Sequence, residues 1–336
     1  MLNTVLAWIT RAILFGVVMM FGAMGETLTE KSGNMNLGTP GIMCIGGAFG
    51  FGFTYLYEVH TDTPNAFLSI FIALICAFVF SALAGVLFCF LTTTLRANQN
   101  VTGLAMTIFG SGLAKFFGMF IIPEGVVTVK AAYANQLFTK SIPLEFGDSA
   151  FARILEEVFF GHGFMLYLGI VIAILMSLFL NHTRAGLNLR AVGENPGTAD
   201  AAGINVNLYK YIATSVGAGI AGLGGAYYIL DYNYGGWSTG AAGGIQALGW
   251  LAVALVIFAT WKPLNLIWGA FLFGLCYWMY NYIDVFGVRL TSAQSSLLEA
   301  IPYLITIIVL IFSSIRKRRE NQPPAALGLS YFREER

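Results

Sequence analysis

Apolar runs of about 20 residues, the length a helix needs to cross a bilayer, recur along nearly all of this 336-residue chain. Nine are predicted as spans, near 8–28, 37–57, 66–90, 99–121, 162–181, 208–230, 244–260, 263–283 and 299–315. No soluble domain fits between them. The expected fold is an all-α polytopic membrane protein, with a transmembrane domain over 1–315 and a tail over 316–336. Charged residues make up only 10% of the chain, against about 25% in a soluble domain. With 39 glycines and 9 prolines, the spans are expected to pack closely through small residues.

Orientation follows from Lys and Arg in short loops. Arg316-Lys-Arg-Arg319 after the last run places the C-terminus in the cytoplasm, and counting back brings Lys262, Arg184, Arg190 and Arg96 inside. Glu58, His60, Asp62, the segment 122–161 and Asp284 then fall outside. Nine spans put the N-terminus outside. Arg11 argues against that, and residues 1–25 also admit a signal-peptide reading with Ala23-Met-Gly25 as cleavage site.

The longest polar, small-residue stretch runs from Gly186 to Val206, within a loop over 182–207. It reads as a short helix with both ends marked. Asn195 can accept from the orphan amides of the first turn. Pro196 suits the first helical position, where no N–H is needed. Gly203 can take the left-handed conformation that closes the helix. Ala199, Ala201 and Ala202 leave little side chain to hold a partner surface away, so the helix is expected to dock something. An ordinary interhelical connector is the plainer reading.

A second polar interruption, Thr29 to Met43, carries Glu30, Lys31, Asn34, Asn36, Gly38, Pro40 and Gly41 between apolar runs. Irregular backbone at membrane depth is tolerated only where protein buries it or water reaches it. The segment is therefore either a broken helix lining a path, with Asn34, Asn36, Gly38 and Gly41 along it, or a plain solvated turn. Glu26 and Glu30 stand one turn apart beside it. A late glycine-rich stretch, 234–249, precedes a span in a similar way, which suggests inverted repeats. Trp237, Trp250, Trp261 and Trp268 fall near span ends, as an aromatic belt would.

Other classes are poorly supported. No basic patch interleaved with aromatics points to nucleic acid, and no phosphate-cradling loop, zinc-protease or serine-hydrolase motif occurs, so no cofactor or catalytic set is expected. Cys44, Cys76, Cys89 and Cys276 lie in apolar runs and read as buried thiols.

Leu189-Arg-Ala-Val-Gly-Glu-Asn-Pro196, followed by Ala201-Ala-Gly-Ile-Asn-Val206, resembles the cytoplasmic coupling loop of ABC importer permeases, in the ribose/simple-sugar and nucleoside branch. The stretches 29–43 and 96–104 carry the same resemblance. Lys31 replaces the usual Arg, and Pro40 stands where the family has a second Glu. The resemblance implies a plasma-membrane permease without ATPase activity of its own. It implies three partners: a cytoplasmic ABC ATPase, a second permease subunit (homologous or identical) and an extracytoplasmic substrate-binding protein. It also implies coupling through Arg190, Glu194, Asn195, Pro196, Ala199, Ala202 and Gly203. Nucleosides are the expected substrates, with a simple sugar as the alternative and a stand-alone channel as the rival from another class.

Overall fold

The computed structural model describes residues 2–141, 150–283, 291–316 and 322–332. Each of the nine apolar runs falls on a helix: α1 (Leu2–Glu30), α2 (Thr39–His60), α3 (Ala66–Cys89), α4 (Gln99–Ile121), α7 (Phe164–His182), α10 (Val206–Tyr227), α11 (Ala241–Phe258), α12 (Pro263–Tyr282) and α14 (Ile301–Arg316). Shorter helices fill the connections: α5 (Ala132–Phe138), α6 (Ala150–Leu155), α8 (Arg184–Glu194), α9 (Pro196–Ala201) and α13 (Ser292–Glu299). Among the described residues, seven helices are long and apolar enough to cross a membrane; α14 is apolar only over Ile301–Ile311. Of the expected loop charges, Asp284 and the basic residues 317–319 lie outside the described residues.

Asparagine caps fix where several spans begin. Asn65 Oδ1 accepts from Phe67 N at 2.9 Å, Asn98 Oδ1 from Val101 N at 3.1 Å, and Asn205 Oδ1 from Leu208 N at 3.0 Å. Each bond satisfies an amide the helix itself leaves unpaired.

The centre of the bundle is α1, α2 and α10, while α3, α4 and α7 turn rows of large apolar side chains outward, Phe71, Ile108 and Leu175 among them. The helices that meet at the centre do so almost backbone to backbone. A Cβ at Gly46 would overlap Gly222, and one at Gly225 would overlap the Met43 carbonyl. Between lipid-solvated helices the hydrophobic effect contributes little, so such close contact supplies the attraction.

The bundle has two unlike ends. At one, β1 (Thr128–Lys130) pairs antiparallel with β2 (Gly236–Ser238), Val129 opposite Trp237. The glycine-rich stretch 234–249 is therefore a sheet edge leading into α11. Facing contacts of Pro40 with Gly249 and of Cys44 with Ala242 show α11 running antiparallel to α2. Arg11 sits at the sheet end, its Nη2 donating to Tyr234 Oη at 2.7 Å, which explains a cation so early in α1. Lys31, Arg96, Arg190 and Lys262 gather at the other end.

The aromatic belt needs correction. Trp237 is buried against Phe51 and Trp261 is buried beside Glu30, whereas Trp268 is exposed. All four cysteines are free, but only Cys44 and Cys89 are buried; Cys76 and Cys276 are half-buried.

Candidate functional site: the coupling end

The polar loop holds two helices rather than one. Thr183 caps α8, its Oγ1 accepting from Gly186 N at 3.0 Å. Asn195 then caps α9 as expected, Oδ1 accepting from Thr198 N at 2.9 Å, with Pro196 in the first turn. Gly203 closes it at φ +84°, and Ile204 N bonds back to Ala199 O at 3.0 Å. The α9 helix spans six residues, shorter than the capped segment suggests.

Burial sorts the expected coupling residues into two sets. Glu194, Asn195, Ala202 and Gly203 are exposed, and Pro196 is half-buried. Ala199 faces inward instead, packed with Val192 and Val206, so its methyl is not available to a partner. Arg190 is half-buried, with its Nε enclosed and unbonded.

The interruption after α1 is no solvated turn. Ser32, Gly33, Asn34, Asn36 and Gly38 are all buried, and Glu26 and Glu30 are 1% and 6% exposed. Buried backbone must find partners, and here side chains of α1 and α4 provide several of them. Glu26 accepts from Asn36 N (3.1 Å) and from the Thr39 hydroxyl. Gln99 of α4 accepts from Met35 N at 2.7 Å, and Thr107 donates to Leu37 O at 2.8 Å. Asn34 Nδ2 reaches Thr214 of α10 at 3.1 Å, leaving its own Oδ1 buried without a partner. Asn36 Oδ1 accepts from Gly38 N at 3.0 Å, closing the turn locally. Trp261 donates its indole N–H to Glu30. Gly38 and Gly41 let α4 approach: a Cβ at Gly41 would overlap Met106 O. Asn34, Asn36, Gly38 and Gly41 thus share one packed region. Gln99, Thr107, Thr214 and Trp261 belong to it too; in the sequence Trp261 read only as a belt residue and Gln99 only as part of the 96–104 resemblance, while Thr107 and Thr214 gave no signal.

These two features touch. A Cβ on Gly193, in the last turn of α8, would overlap the Lys31 carbonyl of the break. Downstream of all the spans, residues 322–332 return over both. Ala326 N donates to Gly193 O (3.0 Å) and Gly328 N to Gly33 O (3.1 Å). Gln99 Nε2 donates to Leu329 O (3.4 Å), and Tyr331 Oη to Asp200 Oδ2 (2.9 Å). The Phe332 ring lies 4.6 Å from the Arg96 guanidinium carbon. The expected tail is, over these residues, a strap across α9, the break and the start of α4.

A bundle of spans with a buried break and an exposed capped helix at one end defines a polytopic membrane protein. The chain belongs to the family described as the branched-chain amino acid transport system / permease component, whose profile matches residues 8–313. It is 30% identical to a putative glucose ABC transporter permease of Haloferax volcanii, over 94% of each chain. It is 29% identical to a nucleoside ABC transporter permease of Lactococcus lactis, over 92% of each. A guanosine ABC transporter permease of Bacillus subtilis is 26% identical over 89% of each. No solved structure matches. The chain is the permease component of an ABC-type transport system.

Proposed function

We propose that the chain forms part of the translocation path of a nucleoside importer in the plasma membrane. ATP hydrolysis belongs to a separate cytoplasmic ATPase that docks on α9. The observation that carries this reading is the direct contact between α8 and the break, which gives a displacement of α9 a route into the bundle. Asn34, Asn36, Gly38 and Gly41 line or support the path. A second permease, homologous or identical, completes it, and an extracytoplasmic binding protein delivers the substrate. The two nucleoside relatives and the Ser32-Gly-Asn-Met-Asn-Leu-Gly38 form support nucleosides. The glucose relative supports a simple sugar as the second reading. A thermal-shift screen of the partner binding protein decides between them: stabilisation by nucleosides and not by sugars is expected, and the reverse would exchange the two readings.

The concentration of Lys and Arg at the coupling end supports a cytoplasmic placement of that end, with the C-terminus on the same side. A cysteine replacing Thr198 should be labelled only from the cytoplasm, and one replacing the exposed Gln136 only from outside, in a chain otherwise free of cysteine. Labelling of both from one side would refute the orientation.

The double change Glu194→Ala, Asn195→Ala removes an exposed acid beside the positive end of α9, together with the α9 cap. The cap is worth about 1 kcal/mol, too little to unfold a bundle of this size. Expression and insertion should stay near normal while uptake and ATPase co-purification fall strongly. Asn207→Ala, exposed beyond α9, should change neither. Normal uptake by the double variant, with the ATPase retained, would make the loop a plain connector.

A further inference from the structure

A cavity of about 950 Å³ opens at the coupling end, between the last turn of α7, α8 and the first turn of α12. Three cations line it, Lys31, Arg190 and Lys262, against one acid, Glu194. They lie close enough to act on one another. Burial lowers the Lys31 pKa; Glu194 opposes that shift, Arg190 and Lys262 add to it, and Glu30 opposes it from behind. Arg190 Nε is enclosed there with no hydrogen-bond partner. Among the described residues the lining carries two more cations than acids, so an anion entering it would offset repulsion already present.

The level of the cavity narrows the choice of anion. Asn181 lies in the last turn of α7, a helix long and apolar enough to cross the membrane, and Pro263 begins α12 beside it, so one wall stands at the end of a span. Leu187 and Leu264 form its apolar flank and are 57% and 46% exposed, a surface suited to acyl chains rather than to water.

We propose that this cavity binds the phosphodiester headgroup of an anionic phospholipid, with Lys31, Arg190 and Lys262 around the phosphate and the acyl chains over Leu187 and Leu264. Basic pockets between spans on the cytoplasmic side suit such headgroups. The inference rests on the membrane position of the chain and not on its substrate.

The test is native mass spectrometry of the permease, purified with its partner subunits, in micelles holding equal phosphatidylglycerol and phosphatidylcholine. The wild type should retain phosphatidylglycerol about tenfold over phosphatidylcholine. The Lys31→Gln, Lys262→Gln variant should fall to about twofold or less. Lys262→Arg should keep the preference, as should Arg184→Gln, which removes an exposed charge at the same end but outside the cavity. No preference in the wild type, or an undiminished one in the double variant, overturns the proposal. Displacement of the lipid by inorganic phosphate would make this a free-anion site instead. Loss of the ATPase with lipid retained would make it a subunit contact, and either result also overturns the proposal.

Discussion

Gly193→Leu is expected to lower uptake by tenfold or more while leaving the permease inserted and abundant. Residue 193 lies within a helix, where leucine is a better helix former than glycine by close to 1 kcal/mol. Local stability therefore gains, and the only penalty is steric. That penalty falls at one place, because a Cβ at 193 overlaps the Lys31 carbonyl and crowds Gly33 N. Overpacking of this kind costs about 1–3 kcal/mol, which α8 can relieve only by moving away from the break. Separation also strains the Ala326 bond to Gly193 O. If α9 drives the bundle through this contact, ATP hydrolysis by the assembled complex should continue while uptake falls. Gly197→Ala is the control, since a Cβ there would meet only Asn195 Oδ1, at an ordinary contact distance of 3.5 Å, and it should stay within about twofold of wild type. Uptake by Gly193→Leu at the wild-type rate would show that motion reaches the break by another route.

Glu26→Leu should be the most destabilising single change at the break. It leaves the buried Asn36 N without its acceptor, and the Thr39 hydroxyl with Asn36 O alone, at 3.2 Å. An orphaned buried amide costs about 1–3 kcal/mol, seen as an earlier melt in detergent. Glu26→Gln keeps one carbonyl acceptor and the side-chain shape, and should lose less than half as much. A Glu26→Leu protein melting with the wild type would mean that the break holds its shape without α1.

How much of this was legible in the sequence depended on range. The spans were, because membrane thickness sets their length whatever their neighbours. So was the cap at Asn195, whose bond closes within three residues. Helix α8 was not: Gly186 and Gly193 read as loop residues, yet each is glycine because another backbone lies against it, Phe179 O and Lys31 O. The break could be seen as irregular but not as buried, because its acceptors and donors come from residues 99, 107, 214 and 261. Trp237 and Trp261 misled for a related reason. Position near a span end does not say which way a ring faces, and both face in. Ala199 was read as a docking surface on its small size, the same property that lets it pack under Val192.

The strap has a consequence for the order in which the molecule is made. Its partners, Gly33, Gln99, Gly193 and Asp200, lie early and midway along the chain, while the strap lies downstream of all the spans. At ribosomal speed, Gly193 is followed by Ala326 only after a delay on the order of ten seconds. Throughout that interval the nascent permease carries α8 and α9 with no strap across them. A chain cut short before residue 322 would keep its spans and α9 but lack the segment that ties α9 to the break. A copy terminated before the strap therefore differs from one that carries it at the end of the bundle where α8 meets the break.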